Sequence, residues 1–488
     1  MKYIKYLLIV TFLLVIVSCD EDKYLDIYPK TSITQDEFYN TVIELNQGLN
    51  DAYRQLGRVY NAHGIVDLYG EQSSDNTYIL IKGGGDNFSE QIAEHRIIPN
   101  NNRIVTAWNV CYNAIYICNL IIEKLETTTT DIDQGLKNRM IAEAKAIRSL
   151  IYFNMVRVWG DIPLVLIPIS PIAAYDYLRE DSEKVYAQII SDLNSAKNNL
   201  PGNYTGVDVG RITRYGVSGI LSKVYLTLGD KQAAQSELSD VINSGMYSLD
   251  ANNDGVVNSE DFSYIFAPGI KNTRSSVLEI QYLAGANANN SNHMQSFTPF
   301  HWAFHLGDIG GPTTPWRGEG INTPTTDLIE SFEDGDPRQG ATYYPGYTDQ
   351  EAGEFVNYPW TIKYFDPNFS NPGSNVPVIR YADILLMYAE VTEDATYLNM
   401  VRDRAGLPRF GSDEYPTDLY PTLERAIEHE RRVELAFEFH RFFDLVRTGR
   451  AVEVLQAKGY NLNVNNLLFP IPQSVIDVNS AITQNPGY

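Results

Sequence analysis

Residues 215–245 read YGVSGILSKVYLTLGDKQAAQSELSDVINSG, and this stretch decides the fold class. Apolar residues recur in it at spacings of three and four, as in Val217, Ile220, Leu221 and Val224, which is the stripe of an amphipathic helix. Gly229-Asp230 interrupts the pattern, and a second helical run follows from Ala233 to Ile242 and closes at Gly245. The small residues Gly219, Ala233 and Ala234 let the two helices lie close, while the turn glycine separates them. Two antiparallel helices joined by a tight turn are expected.

Outward from this pair, helical periodicity covers about 36–60, 103–127, 135–159, 180–199, 213–228 and 231–244, and returns at about 377–391, 395–404, 419–438 and 440–457. The pair at 215–245 resembles a tetratricopeptide unit, so the fold class expected is mainly α, a tetratricopeptide-like scaffold of helical pairs. Between about 247 and 375 the composition turns to Gly, Pro, Asn and aromatics, with a brief strand-like run at 277–282. Irregular stretches of that length usually carry function. The plan is one domain over 36–488: a helical repeat part (36–246), a loop-rich ligand-binding insert (247–375), and C-terminal helices ending in an extended Pro-rich tail (376–488).

The first residues read as an export signal over 1–18. Lys2 and Lys5 precede the apolar run 7–17, which is too short for a comfortable membrane span, and Ile16-Val17-Ser18-Cys19 resembles a lipobox. Acylation of Cys19 would anchor the chain through a linker over 19–35, and Asp20-Glu21-Asp22 resembles the signal that sends such lipoproteins to the outer face of the outer membrane. An ordinary cleaved signal with an incidental cysteine is the alternative. No later segment is expected to be apolar for long enough to cross a bilayer. Removing 1–18 takes away two lysines and no acid, leaving 36 bases against 61 acids and a formal charge of −25. So acidic a surface disfavours nucleic acid and anionic ligands and suits neutral ones. Cys111 and Cys118 would lie about two helical turns, roughly 10 Å, apart, too far for a disulfide, and are expected as buried thiols.

Several further stretches are spread over the chain. Tyr24-Leu25-Asp26 precedes Pro29, Thr31 and Phe38; Ala142-Glu143-Ala144-Lys145-Ala146-Ile147-Arg148 runs on to Trp159-Gly160-Asp161-Ile162-Pro163-Leu164. Later come Arg380-Tyr381-Ala382-Asp383, Arg404-Ala405-Gly406-Leu407-Pro408, Glu430-Arg431-Arg432-Val433-Glu434-Leu435-Ala436-Phe437-Glu438, Arg441-Phe442-Phe443-Asp444 and the closing Gln484-Asn485-Pro486-Gly487-Tyr488. In this order they resemble the SusD/RagB family of surface glycan-binding lipoproteins. One departure is the short connection over 391–397, which puts the local helix packing in doubt. The resemblance implies a SusC-like TonB-dependent β-barrel as partner and a ligand site drawn from loops that differ between members. The charged residues of these signatures read as structural: Glu428 with Arg432, and Glu438 with Arg441, are spaced to pair along a helix.

Sugar rings present C–H faces edged by hydroxyls, so their sites need flat aromatics together with amides and carboxylates. Two regions offer both. Tyr78 and Phe88 flank Gly83-Gly84-Gly85 near Asp75 and Asn76; His301, Trp302, Phe304, His305, Trp316 and Arg317 crowd the insert, followed by Tyr343, Tyr344, Tyr358 and Trp360. The ligand-binding candidates are Trp302 and Trp316, then Tyr78 and Trp360, with His301 and Asp75; any one of them taken singly could instead be a packing anchor.

Residues 250–261 place side-chain oxygens at the first, third, fifth, ninth and twelfth positions of a loop with Gly255 at the sixth, the ligand spacing of an EF-hand-type calcium loop. The ligands would be Asp250, Asn252, Asp254, the Val256 carbonyl, Asn258 and Asp261, and a structural Ca2+ stapling the insert is the expectation against an Asn/Asp/Gly-rich turn that binds nothing. No organic cofactor and no catalytic residue is expected. The leading function is capture of an oligo- or polysaccharide for a transporter. Capture of peptides is the alternative cargo, and a secreted glycoside hydrolase, needing two opposed carboxylates, is the alternative class.

Overall fold

The computed structural model describes residues 38–80, 87–286, 288–300 and 318–488. Its long helices begin where a side chain can accept the free first-turn N–H groups. Helix α1 (Val42–Tyr60) opens on a capping box between Thr41 and Glu44. Asn101 caps α2 (Asn102–Thr127) and Asp133 caps α3 (Gln134–Trp159), which stops at Gly160 in the left-handed region, φ 70°. Then come α4 (Ser182–Lys197), α5 (Arg214–Thr227) capped by Thr213, and α6 (Lys231–Asn243) capped by Asp230.

These helices stack in sequence order, α1 on α2 and α3, α3 on α4, α4 on α5, α5 on α6. Val217, Ile220, Leu221 and Val224 of α5 are buried, as are Ala234, Leu238 and Val241 of α6. Each fully buried aliphatic side chain of this kind contributes about 1.5–3 kcal/mol. Gly219 does its close-packing elsewhere than expected: a Cβ there would stand 2.8 Å from Ile379 Cδ1, so its small size admits the returning C-terminal segment.

That segment completes the stack. Helix α7 (Tyr381–Thr392) packs on α6 and on α8 (Ala395–Ala405), and α9 (Leu423–Glu434), α10 (Arg441–Arg447) and α11 (Ala451–Ala457) follow. The short 391–397 connection works because Glu393 adopts the left-handed conformation, φ 55°, and Asp394 caps α8 directly. The helical run expected over 440–457 is broken before Ala451 by Gly449, φ 72°, and residues 377–380 are strand rather than helix. The tail carries a short helix at Gln473–Val478.

One expectation needs correction. Helix α2 is long and apolar enough to cross a bilayer by length and composition alone; it is a core helix, with 56% of its most apolar window buried between its neighbours. Cys111 and Cys118, both on α2, are free and buried, and burial pushes the Cys118 thiol up to about 12.

Small sheets set the insert in place. Six strands, four of them in the insert, matter here: β1 (Thr77–Tyr78), β2 (Ser276–Ile280), β3 (Thr323–Pro324), β4 (Tyr343–Tyr344), β5 (Trp360–Thr361) and β6 (Val376–Arg380). β2 pairs antiparallel with β6, Val376 opposite Ile280, and β6 runs straight into α7. The strand-like run read at 277–282 is therefore the neck through which the insert leaves and rejoins the helices. The insert has a separate apolar cluster of its own, made of Met294, Tyr347, Tyr358, Trp360 and Phe369.

Candidate ligand-binding face

β1 and β3 pair antiparallel, Thr77 opposite Pro324 and Tyr78 opposite Thr323. The end of β1 thus lies beside the start of β3. Residues 79–80, which lead to the Gly-rich stretch, and residues 318–322, which follow the aromatic stretch, therefore lie at the same end of one small sheet. The stem of the second is closed by Gly318 N–H to Pro299 O (3.0 Å) and Gly320 N–H to Thr298 O (3.0 Å). His301, Trp302 and Trp316 lie outside the described residues. Tyr78 is half-buried, with its hydroxyl pKa raised by burial, and Tyr358 is near enough for their charges to interact.

Beneath this face a polar seam stitches α1 and the turn after it to the insert. Asn61 and Asn292 exchange bonds, Asn292 N–H to Asn61 Oδ1 and Ala62 N–H to Asn292 Oδ1, each 2.9 Å. His63 Nε2 meets Glu319 Oε2 at 2.5 Å, and the His63 N–H donates to Asp67 Oδ2 at 2.8 Å. Asn322 Nδ2 donates to Asp67 Oδ1 (2.6 Å), and the Thr77 hydroxyl reaches Asn322 Oδ1 (3.3 Å). Burial raises the Asp67 pKa, and burial pushes buried His293, which bonds the Tyr60 carbonyl, down to about 3. His63 and Glu319 were not among the sequence candidates, because nothing in their local pattern separates them from ordinary surface residues; only the tertiary seam joins them.

Two candidates are corrected. Asp75 is 1% exposed and accepts from Arg441 Nε (2.7 Å) and Nη2 (3.0 Å), with Arg432 and Lys458 also within ion-pair range. Burial alone would raise its pKa; Arg441 and Arg432 instead hold it well below the usual carboxylate range. Trp360 is 1% exposed, its indole N–H donates to Gly346 O (3.2 Å), and its ring is packed in the insert's own apolar cluster. Neither has a face to offer a sugar. Tyr358 is buried too, while Tyr343 and Tyr344 are half-buried.

In the 250–261 loop Asp250 accepts from the Asp254 and Gly255 N–H groups (both 3.1 Å), and Asp261 closes it by accepting from Ala251 (2.7 Å) and Asn258 (2.9 Å). Among the described residues no three His, Cys, Asp or Glu side chains form a metal-holding group. A cation here would therefore depend on the Asn252, Asn258 and Val256 oxygens as much as on carboxylates.

Residues 23–226 match the family described as "Starch-binding associating with outer membrane", and residues 339–488 match the one described as "SusD family". The chain belongs to the SusD/RagB family. A SusD-like protein of Formosa agariphila is 24% identical over 98% of this chain and 99% of its own length. One from Bacteroides ovatus is 26% identical over 91% of this chain and 82% of its own. Of solved structures, a laminarin binding SusD-like protein superposes with a TM-score of 0.76 at 28% identity, covering 92% of this chain and 100% of that one. Surface glycan-binding protein A from Bacteroides thetaiotaomicron shares the fold, with a TM-score of 0.77 at 21% identity and coverage of 92% and 100%. These relatives are named as SusD-like or glycan-binding proteins, none as an enzyme.

The charged signatures of this SusD/RagB chain hold the insert to the C-terminal helices. Buried Arg338 pairs with Asp336, Glu430 and Glu434; Arg380 pairs with Glu434 and Glu438, and Lys363 with Glu438. The pairs expected along the helix are not the ones made. Glu428 meets Arg425, Arg441 and Arg450, and Arg432 meets Asp75 and Asp327. A buried charge takes whichever partner the packing puts within reach, and for Arg432 and Glu438 those partners come from distant segments.

Proposed function

We propose that this chain is a surface lipoprotein that binds an oligo- or polysaccharide at the β1/β3 face and delivers it to a SusC-like TonB-dependent outer-membrane transporter without cleaving it. The observation that carries the reading is the pairing of β1 with β3, which sets side by side the points from which the chain enters the Gly-rich region and returns from the aromatic one. The names of the relatives supply the ligand class, and laminarin is the first polysaccharide to try. Trp302, Trp316 and Tyr78, with His301, are the proposed stacking and hydrogen-bonding residues. Tethering rests on the lipobox at Cys19 and is checked by palmitate labelling, which Cys19→Ala should abolish.

The deciding experiment is calorimetry and affinity electrophoresis of residues 20–488 against laminarin, other neutral glycans and peptides. Binding without new reducing ends, lost in Trp302→Ala or Trp316→Ala, supports the proposal. Peptide-only binding would change the cargo, and glycan cleavage would overturn the non-enzymatic reading. A structural Ca2+ in the 250–261 loop is proposed with it, at an affinity on the order of 10⁻⁴ to 10⁻³ M. Calcium should raise the Tm of the native chain and leave Asp250→Ala unmoved; equal Tm with calcium and with EDTA would leave the loop as a self-bonded turn.

A further inference from the structure

Glu319 stands directly after Gly318 at the stem of the aromatic stretch, and its side chain is 51% exposed although its partners are buried. Its backbone is pinned, with the N–H on Gln295 O at 3.2 Å. Its carboxylate is pinned too. Oε2 meets His63 Nε2 at 2.5 Å, and the His63 side chain is only 9% exposed. His63 in turn is set by its backbone: φ is 61°, unusual for a residue with a Cβ, and the N–H is held by buried Asp67, itself fastened by Asn322 and Gln72. Next to Glu319, Gly320 in the left-handed region lies against the Tyr358 hydroxyl, which neighbours Tyr78. The seam thus spends several buried polar groups and a left-handed histidine on the placement of one half-exposed carboxylate at the edge of the candidate face.

We propose that Glu319 is a ligand-binding residue that selects neutral glycans, accepting hydrogen bonds from sugar hydroxyls, and that His63 is the positioning residue that holds it. The inference rests on the glycan-capture reading. An ionised carboxylate only accepts, and beside its bonds to His63 and to the Ser296 side chain its two oxygens keep lone pairs for sugar hydroxyl donors. The same charge repels uronate or sulfate groups. The charged neighbours support an ionised state: burial raises the Glu319 pKa, but the His63 hydrogen bond and charge, then Arg103 at the start of α2, bring it below the ordinary value. His63 is faced in addition by Asp67 and His293.

The test uses residues 20–488 and calorimetry with laminarihexaose, cellohexaose, mannohexaose, xylohexaose and trigalacturonic acid, from pH 4 to pH 8. Glu319→Gln and Glu319→Ala should weaken the neutral ligand that the native chain binds by about tenfold or more, as a lost charge-assisted hydrogen bond does, with an unchanged Tm. Discrimination against trigalacturonic acid should fall in the same variants. His63→Gln should move the acid loss of binding to higher pH, since Glu319 then returns toward its ordinary pKa; a residue that merely supported the fold would not shift that profile. Native binding to a neutral glycan that Glu319→Gln leaves intact overturns this inference and spares the capture reading. Binding to none of the glycans overturns both.

Discussion

At the scale of single residues, burial separates the side chains that hold the fold from those free to meet a ligand. Asp75 and Trp360 belong to the first group. Asp75→Ala takes from buried Arg441 its two-bond partner and leaves it only Glu428 at 3.6 Å, and breaking a buried pair in this way costs about 3–5 kcal/mol; Trp360→Ala empties the apolar cluster of the insert at a cost of about 3–5 kcal/mol. Urea unfolding should show both, whereas Tyr78→Ala should cost little stability and act on binding. Glu71 gives a prediction of opposite sign. It is buried, accepts from Phe439 N–H (3.1 Å) and Asn76 Nδ2 (3.3 Å), and burial raises its pKa from 4.5 to about 8. Between those values the folded chain holds a proton that the unfolded chain has released, so its contribution to stability is complete below pH 4.5 and declines as the pH rises through 8. Glu71→Gln should remove that decline, giving a smaller Tm difference between pH 5 and pH 8 than the native chain shows.

At the scale of elements, a π-helical turn, Leu68–Gln72, lies backbone against backbone on the turn after α9. Phe437 and Phe439 both take positive φ, 63° and 65°, and Gly70 faces the Phe439 carbonyl so closely that a Cβ would collide with it. The opposing group is backbone and cannot rotate away. Gly70→Ala should therefore cost on the order of 1–3 kcal/mol, while alanine at Gly340, which has open space, should be nearly neutral; paired urea titrations would separate them. Helices were legible because a 3.6-residue period and first-turn caps such as Asp133, Thr213 and Asp230 are local signals. The break at Gly449 and the strand at 376–380 were not: a left-handed glycine can end or interrupt a run, and Val376–Arg380 becomes strand only because Ser276–Ile280 lies beside it.

At the scale of the whole molecule, ion pairs tie the insert and the N-terminal half to the C-terminal helices. Asp75, Asp383, Asp444 and Glu434 all have pKa values that burial would raise but that their arginine or lysine partners depress, and Glu333 is held at about 2 by His429 and Arg402. Depressed carboxylates contribute stability above their unfolded pKa and lose it as the pH falls through the folded values. The Tm should drop steeply below about pH 4 as these groups take up protons, and a flat profile down to pH 2 would show that the pairs contribute nothing. By itself the sequence determined the helical scaffold, the family resemblance and the two aromatic loop regions proposed to meet a sugar, because periodicity, turn glycines and aromatic composition are properties of neighbouring residues. Only the tertiary structure decided which charges pair, as Asp75 with Arg441, and which aromatic is core, as Trp360. It also decided that His63 and Glu319 share one seam, since the two polar contacts join segments hundreds of residues apart and the Trp360 ring is buried only when separate stretches of the insert fold around it.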